Sequence, residues 1–316
     1  MPRSKSINLF LMDGEPTGKI KCSLANWTGV AYKIPRSMLD SARSIKALNQ
    51  TGVYMLFGAD PETGDSAVYI GQAVVRKNGE GVVNRWMEHE RKTDSDWWTE
   101  AVVLTTSNDI LGPTDISYLE NRLRNLAVKA DRYIVRNGNE PNPGNVTEEK
   151  ESELDEFLYY ARLIVGTLNY KVFEPLVSSQ IVPDVSQSDP VRTSDENVQE
   201  GELMRCTVRG ADARGRRTPE GFVVLAGSRL ASTLTSSAPG AARKAREKYA
   251  DRISDDYILQ KDTLFNSPSG AAGFAGGASL NGNREWVSET GISLGDLEAE
   301  KVESIGSAVF TEPTES

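Results

Sequence analysis

Apolar positions in TGVYMLFGADPETGDSAVYIGQA (residues 51–73) fall in two runs separated by a Pro-, Asp- and Gly-rich turn, which predicts a β-hairpin. Side chains alternate across a strand. Val53, Met55, Val68 and Ile70 are therefore expected on one face, with Tyr54, Tyr69 and Gly71 on the other. Further along, TDISYLENRLRNLAVKADRY places Ile116, Leu119, Leu123, Leu126, Ala127 and Ala130 at helical spacing, and Glu120 falls inside that apolar stripe. Between these segments, GEGVVNRWMEHERK reads as a helix with Arg85 and His89 four residues apart on one side.

The flanking patterns divide the rest of the chain. SINLFLMD and GKIKCSLANW read as two strands around a turn, and PRSMLDSARSIKALNQ as a short helix with Pro35 near its first turn. Residues 1–44 are thus expected to form an N-terminal extension to a domain at 45–178 that ends in a helical segment. Residues 179–203 are rich in Ser, Asp, Pro and Glu and poor in large apolar side chains, so they are expected to form a flexible acidic linker. A second small α/β domain is expected at 204–292. There GFVVLAGSRL reads as a strand, SSAPGAARKAREKYA as a helix, and DDYILQKDTLFNSPSGAAGFAGGASLNGNREW as a strand, Gly-rich turns and a Trp-containing segment. Residues 293–316 read as an acidic tail, and the whole as an α+β chain.

Composition adds to this picture. A chain of 316 residues fits two units better than one. The formal charge of -9 argues against a polyanionic partner until its distribution is considered. Acidic residues concentrate at 147–156, 184–202 and 294–315, whereas 122–136 and 205–252 are locally basic. No stretch approaches the roughly 20 apolar residues of a membrane span, and no long apolar leader is present. Cys22 and Cys206 have no paired spacing, which predicts neither a disulfide framework nor a zinc site and makes a reducing cytoplasm the expected compartment.

Two positions call for a chemical explanation. A carboxylate on a buried stripe costs several kcal/mol unless it is paired or coordinates a metal. Glu120 is therefore expected to meet Arg124, Arg85 or a cation. Gly71 weakens a strand unless the backbone must approach something closely or the strand ends there.

The ordered set Gly52-Val53-Tyr54, Tyr69-Ile70-Gly71, Arg85-x-x-x-His89 and Glu120 resembles the signature of the GIY-YIG nuclease superfamily, over about a third of the chain, roughly residues 45–145. The first triplet departs only by Val for Ile. That resemblance implies a small domain with a three-stranded antiparallel sheet flanked by helices, and a metal-dependent endonuclease (a hydrolase) that cuts nucleic acid, with DNA the expected substrate. It implies that Glu120 binds Mg²⁺ or Mn²⁺, that Tyr54 is the general base with Tyr69 in its hydrogen-bond network, that Arg85 contacts the phosphate, and that His89 orients or deprotonates Tyr54. At Gly71 a phosphate backbone is the visitor that this reading implies. The family pattern also includes a later Asn; Asn137, Asn139 and Asn142 are available, and Asn137 is favoured. Residues from about 205 to 290 resemble a domain of uncharacterised function that often follows this nuclease domain in bacterial proteins, on FVVLAGSRL and NGNREW. Two other readings stand beside this one: a non-catalytic nucleic-acid-binding module, and an unrelated small-molecule enzyme or partner-binding protein. DNA versus RNA, specificity and oligomeric state are left open by the sequence.

Overall fold

The structure, a computed structural model, describes residues 4–75, 96–177 and 201–300. The chain divides into two units between Pro175 and Leu176. The helix expected to carry Arg85 and His89 lies outside the described residues.

Unit 1 is built on one sheet. Its strands are β1 (Ile7–Leu11), β2 (Ile20–Leu24), β3 (Gly29–Pro35), β4 (Gly52–Ala59), β5 (Ser66–Ala73), β6 (Trp98–Thr106) and β7 (Ile134–Val135), in the order β1-β2-β3-β6-β4-β5-β7. All pairings are antiparallel except β7, which runs parallel to β5. The expected three-stranded sheet is therefore corrected to seven strands. Three strands of the expected N-terminal extension belong to this sheet: β3 pairs along its whole length with β6, from Gly29 opposite Thr106 to Pro35 opposite Glu100, and β2 and β1 follow beside it. The helix expected at 35–50 is broken into a 3-10 turn at Arg36–Met38, a single α turn, α1 (Leu39–Ala42), and a second 3-10 turn at Lys46–Asn49.

Both faces of this sheet are covered, as the alternation of the hairpin requires. On one face Val53, Met55, Phe57, Val68 and Ile70 pack against α2 (Pro113–Ala130) and α3 (Glu148–Thr167). On the other, Tyr54 and Leu56 join Trp98, Leu39 and Leu48 from α1 and the 3-10 turns. The stripe predicted for α2 is observed, with Ile116, Leu119, Leu123, Ala127 and Ala130 buried. The Asp115 side chain accepts from the Gly112 N–H at the start of this helix (2.9 Å), and Asp131 ends it in the left-handed conformation at φ 50°. α3 opens with Thr147 capping Lys150 N–H and with Glu148, Glu149 and Glu151 in its first turn, where the helix dipole favours negative charge. Tyr118 of α2 joins the helices: its hydroxyl lies 3.0 Å from Glu151 and 2.9 Å from Asp155, and accepts from Arg122 Nε at 2.9 Å.

Unit 2 is a five-stranded antiparallel sheet, with β8 (Leu203–Cys206), β9 (Ala213–Thr218), β10 (Gly221–Val224), β11 (Thr263–Phe265) and β12 (Val287–Ser288) in the order β11-β10-β9-β8-β12. Its helices are α4 (Gly240–Lys248), α5 (Pro268–Gly276) and α6 (Gly282–Glu285). The Gly-rich stretch expected to form turns is instead the buried helix α5. Ser267 caps it, Pro268 opens it, Gly277 closes it at φ 65°, and Ala271, Ala272, Phe274 and Ala275 pack into the core with Met204, Phe222 and Trp286. Small residues on every side let it sit close to the sheet, and that packing overrides its poor intrinsic propensity. Leu294, from the segment expected to be a tail, is buried in the same core, with Leu297 packed against it. Among the described residues no helix is long and apolar enough to cross a membrane.

Candidate active site

The centre of interest is the last third of β5, where Tyr54, Tyr69, Gly71 and Asn137 lie close to one another. Tyr54 on β4 stands directly opposite Gly71 on β5, and Leu56 opposite Tyr69, so the two tyrosines share a face with their rings 6.2 Å apart at 37°. Tyr54 is 1% exposed, whereas Tyr69 is half-buried. β5 continues past Gly71 to Ala73, so the glycine does not mark a strand end. Its role is steric: a Cβ built there would lie 2.6 Å from both Cζ and the hydroxyl of Tyr54 and 2.9 Å from Tyr69 Cε1. The missing side chain is what lets the Tyr54 phenol lie across β5 toward its outer margin.

That margin is held by Asn137. The Ile70 N–H donates to Asn137 Oδ1 at 3.1 Å, and Asn137 Nδ2 donates to the Ile70 carbonyl at 2.7 Å. The parallel pairing of β7 with β5 covers only Ala67 and Val68 and is followed by the Arg136 N–H donating to the Val68 carbonyl. The Asn137 amide then takes over as a substitute peptide group and satisfies one further residue of the β5 edge. Arg136 secures the same turn of chain by pairing with Asp60 in the hairpin loop at 2.9 Å. Three Thr63 and Glu62 hydrogen bonds also reach Asp60. Thr63 and Glu62 N–H groups, with Arg136, hold the Asp60 carboxyl below its usual range. The other two candidates do not reach the site: Asn139 is exposed, and Asn142 accepts from Gly144 N–H in its own turn.

Glu120 comes from beneath. α2 lies against β5 and β4, and near its start Ser117 Oγ is 3.2 Å from Gln72 Oε1. The helix leads into β7, which runs parallel to β5, so it travels back along β5 from its end toward its beginning. Glu120 lies one turn beyond Ser117 on the same helix. It is 8% exposed. Tyr54 and Tyr69 are on the opposite face of the sheet from α2. Arg124, one candidate partner for Glu120, donates through Nη1 to Asn125 at 3.0 Å. Arg85 and His89 belong to the segment outside the described residues.

The sequence reading missed two supports. Gln72 and Ser117 tie strand to helix, and Asn121 and Asn125 anchor the loop after Asn137: Asn121 Nδ2 donates to the Pro141 carbonyl at 2.7 Å and Asn125 Nδ2 to Glu140 at 2.9 Å. These two amides hold the Glu140 carboxyl below its usual range. A polar flank on α2 at Ser117, Asn121 and Asn125 was the available signal.

As to a metal, no group of three or more His, Cys, Asp or Glu side chains that could hold an ion is found among the described residues. Glu120 is a buried carboxylate on α2, and a single carboxylate can serve Mg²⁺, which keeps most of its waters. Glu120 fits that use.

Compared with known proteins, residues 204–298 match the family model of a Domain of unknown function (DUF4357), a stretch that includes Leu294 and Leu297. No curated protein and no solved structure matches the chain.

Proposed function

We propose that unit 1 hydrolyses phosphodiester bonds in nucleic acid, with the outer edge of β5 at Ile70–Gly71 as the reaction site. The observation that carries this reading is a buried carboxylate, Glu120, on the helix packed against β5, a strand whose edge is fixed by Asn137 and over which Gly71 admits the Tyr54 phenol. The resemblance to the GIY-YIG superfamily supports the same roles.

Each residue then has a task. Asn137 immobilises the Ile70 peptide, so the edge that meets the phosphate is preorganised and costs no reorganisation during reaction. Tyr54 takes the proton from the attacking water at its phenolic oxygen. Tyr69, beside it, orders that water. Arg85 neutralises the phosphate, and His89 receives the proton from Tyr54. Glu120 would hold one Mg²⁺, which when bound would offset charge on the phosphate and the 3′ leaving oxygen. An ordinary phenol ionises near 10, so the role of Tyr54 depends on positive charge nearby, a part this proposal gives to Arg85.

Cleavage of supercoiled plasmid DNA with Mg²⁺, Mn²⁺ or chelator tests the reading. Metal-dependent nicking or linearisation is expected, lost in Glu120→Gln and Tyr54→Phe. Retained cleavage in Glu120→Gln overturns the assignment of that residue. Binding without cleavage by the unaltered protein supports instead a non-catalytic nucleic-acid module.

A further inference from the structure

Unit 2 carries a groove of 690 Å³ across the outer side of its sheet, lined by strands β8 and β12 and by the loop segments around Gly227 and Ile258. This side is the one turned away from the core: Met204 and Cys206 of β8 point inward, while Leu203 and Arg205 alternate outward. The register places Arg205 opposite Arg214, and the bridge between Asp212 and Arg229 brings a third guanidinium to the same wall.

The charge of this wall is unbalanced. Arg205 is tied to Asp212 through two parallel hydrogen bonds, Nε to Oδ1 at 2.6 Å and Nη2 to Oδ2 at 2.7 Å. That bond first, and then the fields of Arg205, Arg214 and Arg229, hold the Asp212 carboxyl below its usual range. One carboxylate thus answers one of three guanidiniums. Arg214 and Arg229 are exposed, with their main chains fixed: Ser228 Oγ accepts from Arg214 N–H at 2.9 Å, and Arg229 N–H donates to the Asp212 carbonyl at 3.0 Å. Glu289 is a second acidic side chain on the rim, which leaves the groove with a net positive wall. Leu203, Ile258 and Val287 supply apolar patches between the charges.

We propose that this groove binds the phosphodiester backbone of a single strand of nucleic acid, with Arg214 and Arg229 on successive phosphates and the apolar patches against the sugars. Its volume lies in the range of roughly 300–1,000 Å³ typical of ligand clefts, and the occupant proposed for it is one strand, not a duplex. Guanidinium forks match phosphate oxygens in pairs, which favours Arg over Lys for this task. The site deepens the nuclease reading by giving unit 2 a share in substrate capture, and it stands on its own residues if that reading fails.

The test uses the full chain carrying Glu120→Gln, so that substrate is not consumed, and fluorescence anisotropy of a labelled oligothymidylate over a salt series. Arg214→Ala with Arg229→Ala is expected to weaken binding at least tenfold and to flatten the dependence of log K on log salt by about 1.4, the contribution of two phosphate contacts on a single strand. Arg214→Lys with Arg229→Lys is expected to recover part of the loss. Circular dichroism melting checks that the unit stays folded, as expected for exposed side chains. Unchanged affinity and slope in the folded alanine variant overturn the proposal, whether or not the parent chain cuts DNA. Equal competition by polyglutamate also overturns it, in favour of an acidic protein partner, and tighter binding of duplex than of single strand overturns the strand assignment. Loss of plasmid cleavage in Glu120→Gln alone, with arginine-dependent binding intact, separates the two readings.

Discussion

Gly71→Ala reports directly on the packing of the candidate site. In an ordinary strand this change is neutral or stabilising by about 0.4–1 kcal/mol, because it removes freedom from the unfolded chain. Here the new methyl carbon would lie 2.6 Å from the far end of the Tyr54 ring, which is 1% exposed and belongs to the same buried cluster as Leu56, Val103 and Trp98. Tyr69, half-buried, can turn aside; Tyr54 cannot move without displacing its neighbours. Overpacking of this kind costs about 1–3 kcal/mol, so the sign reverses. Urea denaturation followed by circular dichroism should show unit 1 destabilised by that amount. A double-mutant cycle isolates the cause. In a Tyr54→Leu background, whose side chain ends short of Gly71, the same Gly71→Ala change should be neutral or stabilising; in Tyr54→Phe, where Cζ remains, the cost should persist. An equal penalty in the Leu and Tyr backgrounds would refute the claim that the phenol is what excludes a side chain.

Asn137→Ala should destabilise unit 1 by about 1–3 kcal/mol, since it strips the partners from both polar groups of Ile70; Asn137→Asp should cost at least as much, because a carboxylate cannot donate to the Ile70 carbonyl, and urea midpoints for both variants check this. Burial pushes the Cys22 thiol up to about 11 and, with the charge of Glu285 adding to burial, the Cys206 thiol up to about 12. Both raised values mean that the neutral thiols contribute stability fully below the unfolded pKa near 8.5, and that this contribution fades as pH rises through 11 and 12. Native protein at pH 8 should therefore leave both thiols unreactive toward a disulfide reagent until urea is added, and fast labelling without urea would contradict the burial of either site.

Much of the site was legible because its signals are local. Period-two alternation assigns Tyr54 and Tyr69 to one face and Val53, Met55, Val68 and Ile70 to the other, and helical spacing sets Glu120 inside a buried stripe. Pairing between distant segments leaves no such mark. The register of Gly29 against Thr106 joins residues far apart in sequence, so residues 1–44 read as an extension of two strands and a short helix, although three strands there complete the sheet. Asn137 could not be separated from Asn139 and Asn142 by residue type, since what distinguishes it is the adjacency of β7 to β5. The Gly-rich run at 270–277 misled for the opposite reason: its local preference was read correctly, and tertiary packing overrode it.

That helix has a consequence for how unit 2 opens and closes. With glycine at 270, 273 and 276, α5 gains little from its own hydrogen bonds, each glycine costing about 1 kcal/mol relative to alanine. It exists because Phe222, Trp286 and Met204 surround it, and they in turn have no other core to enter. Neither partner survives the loss of the other. The amides of α5 should therefore exchange with solvent only when the whole unit unfolds, which makes this least helical of sequences a gauge of global cooperativity.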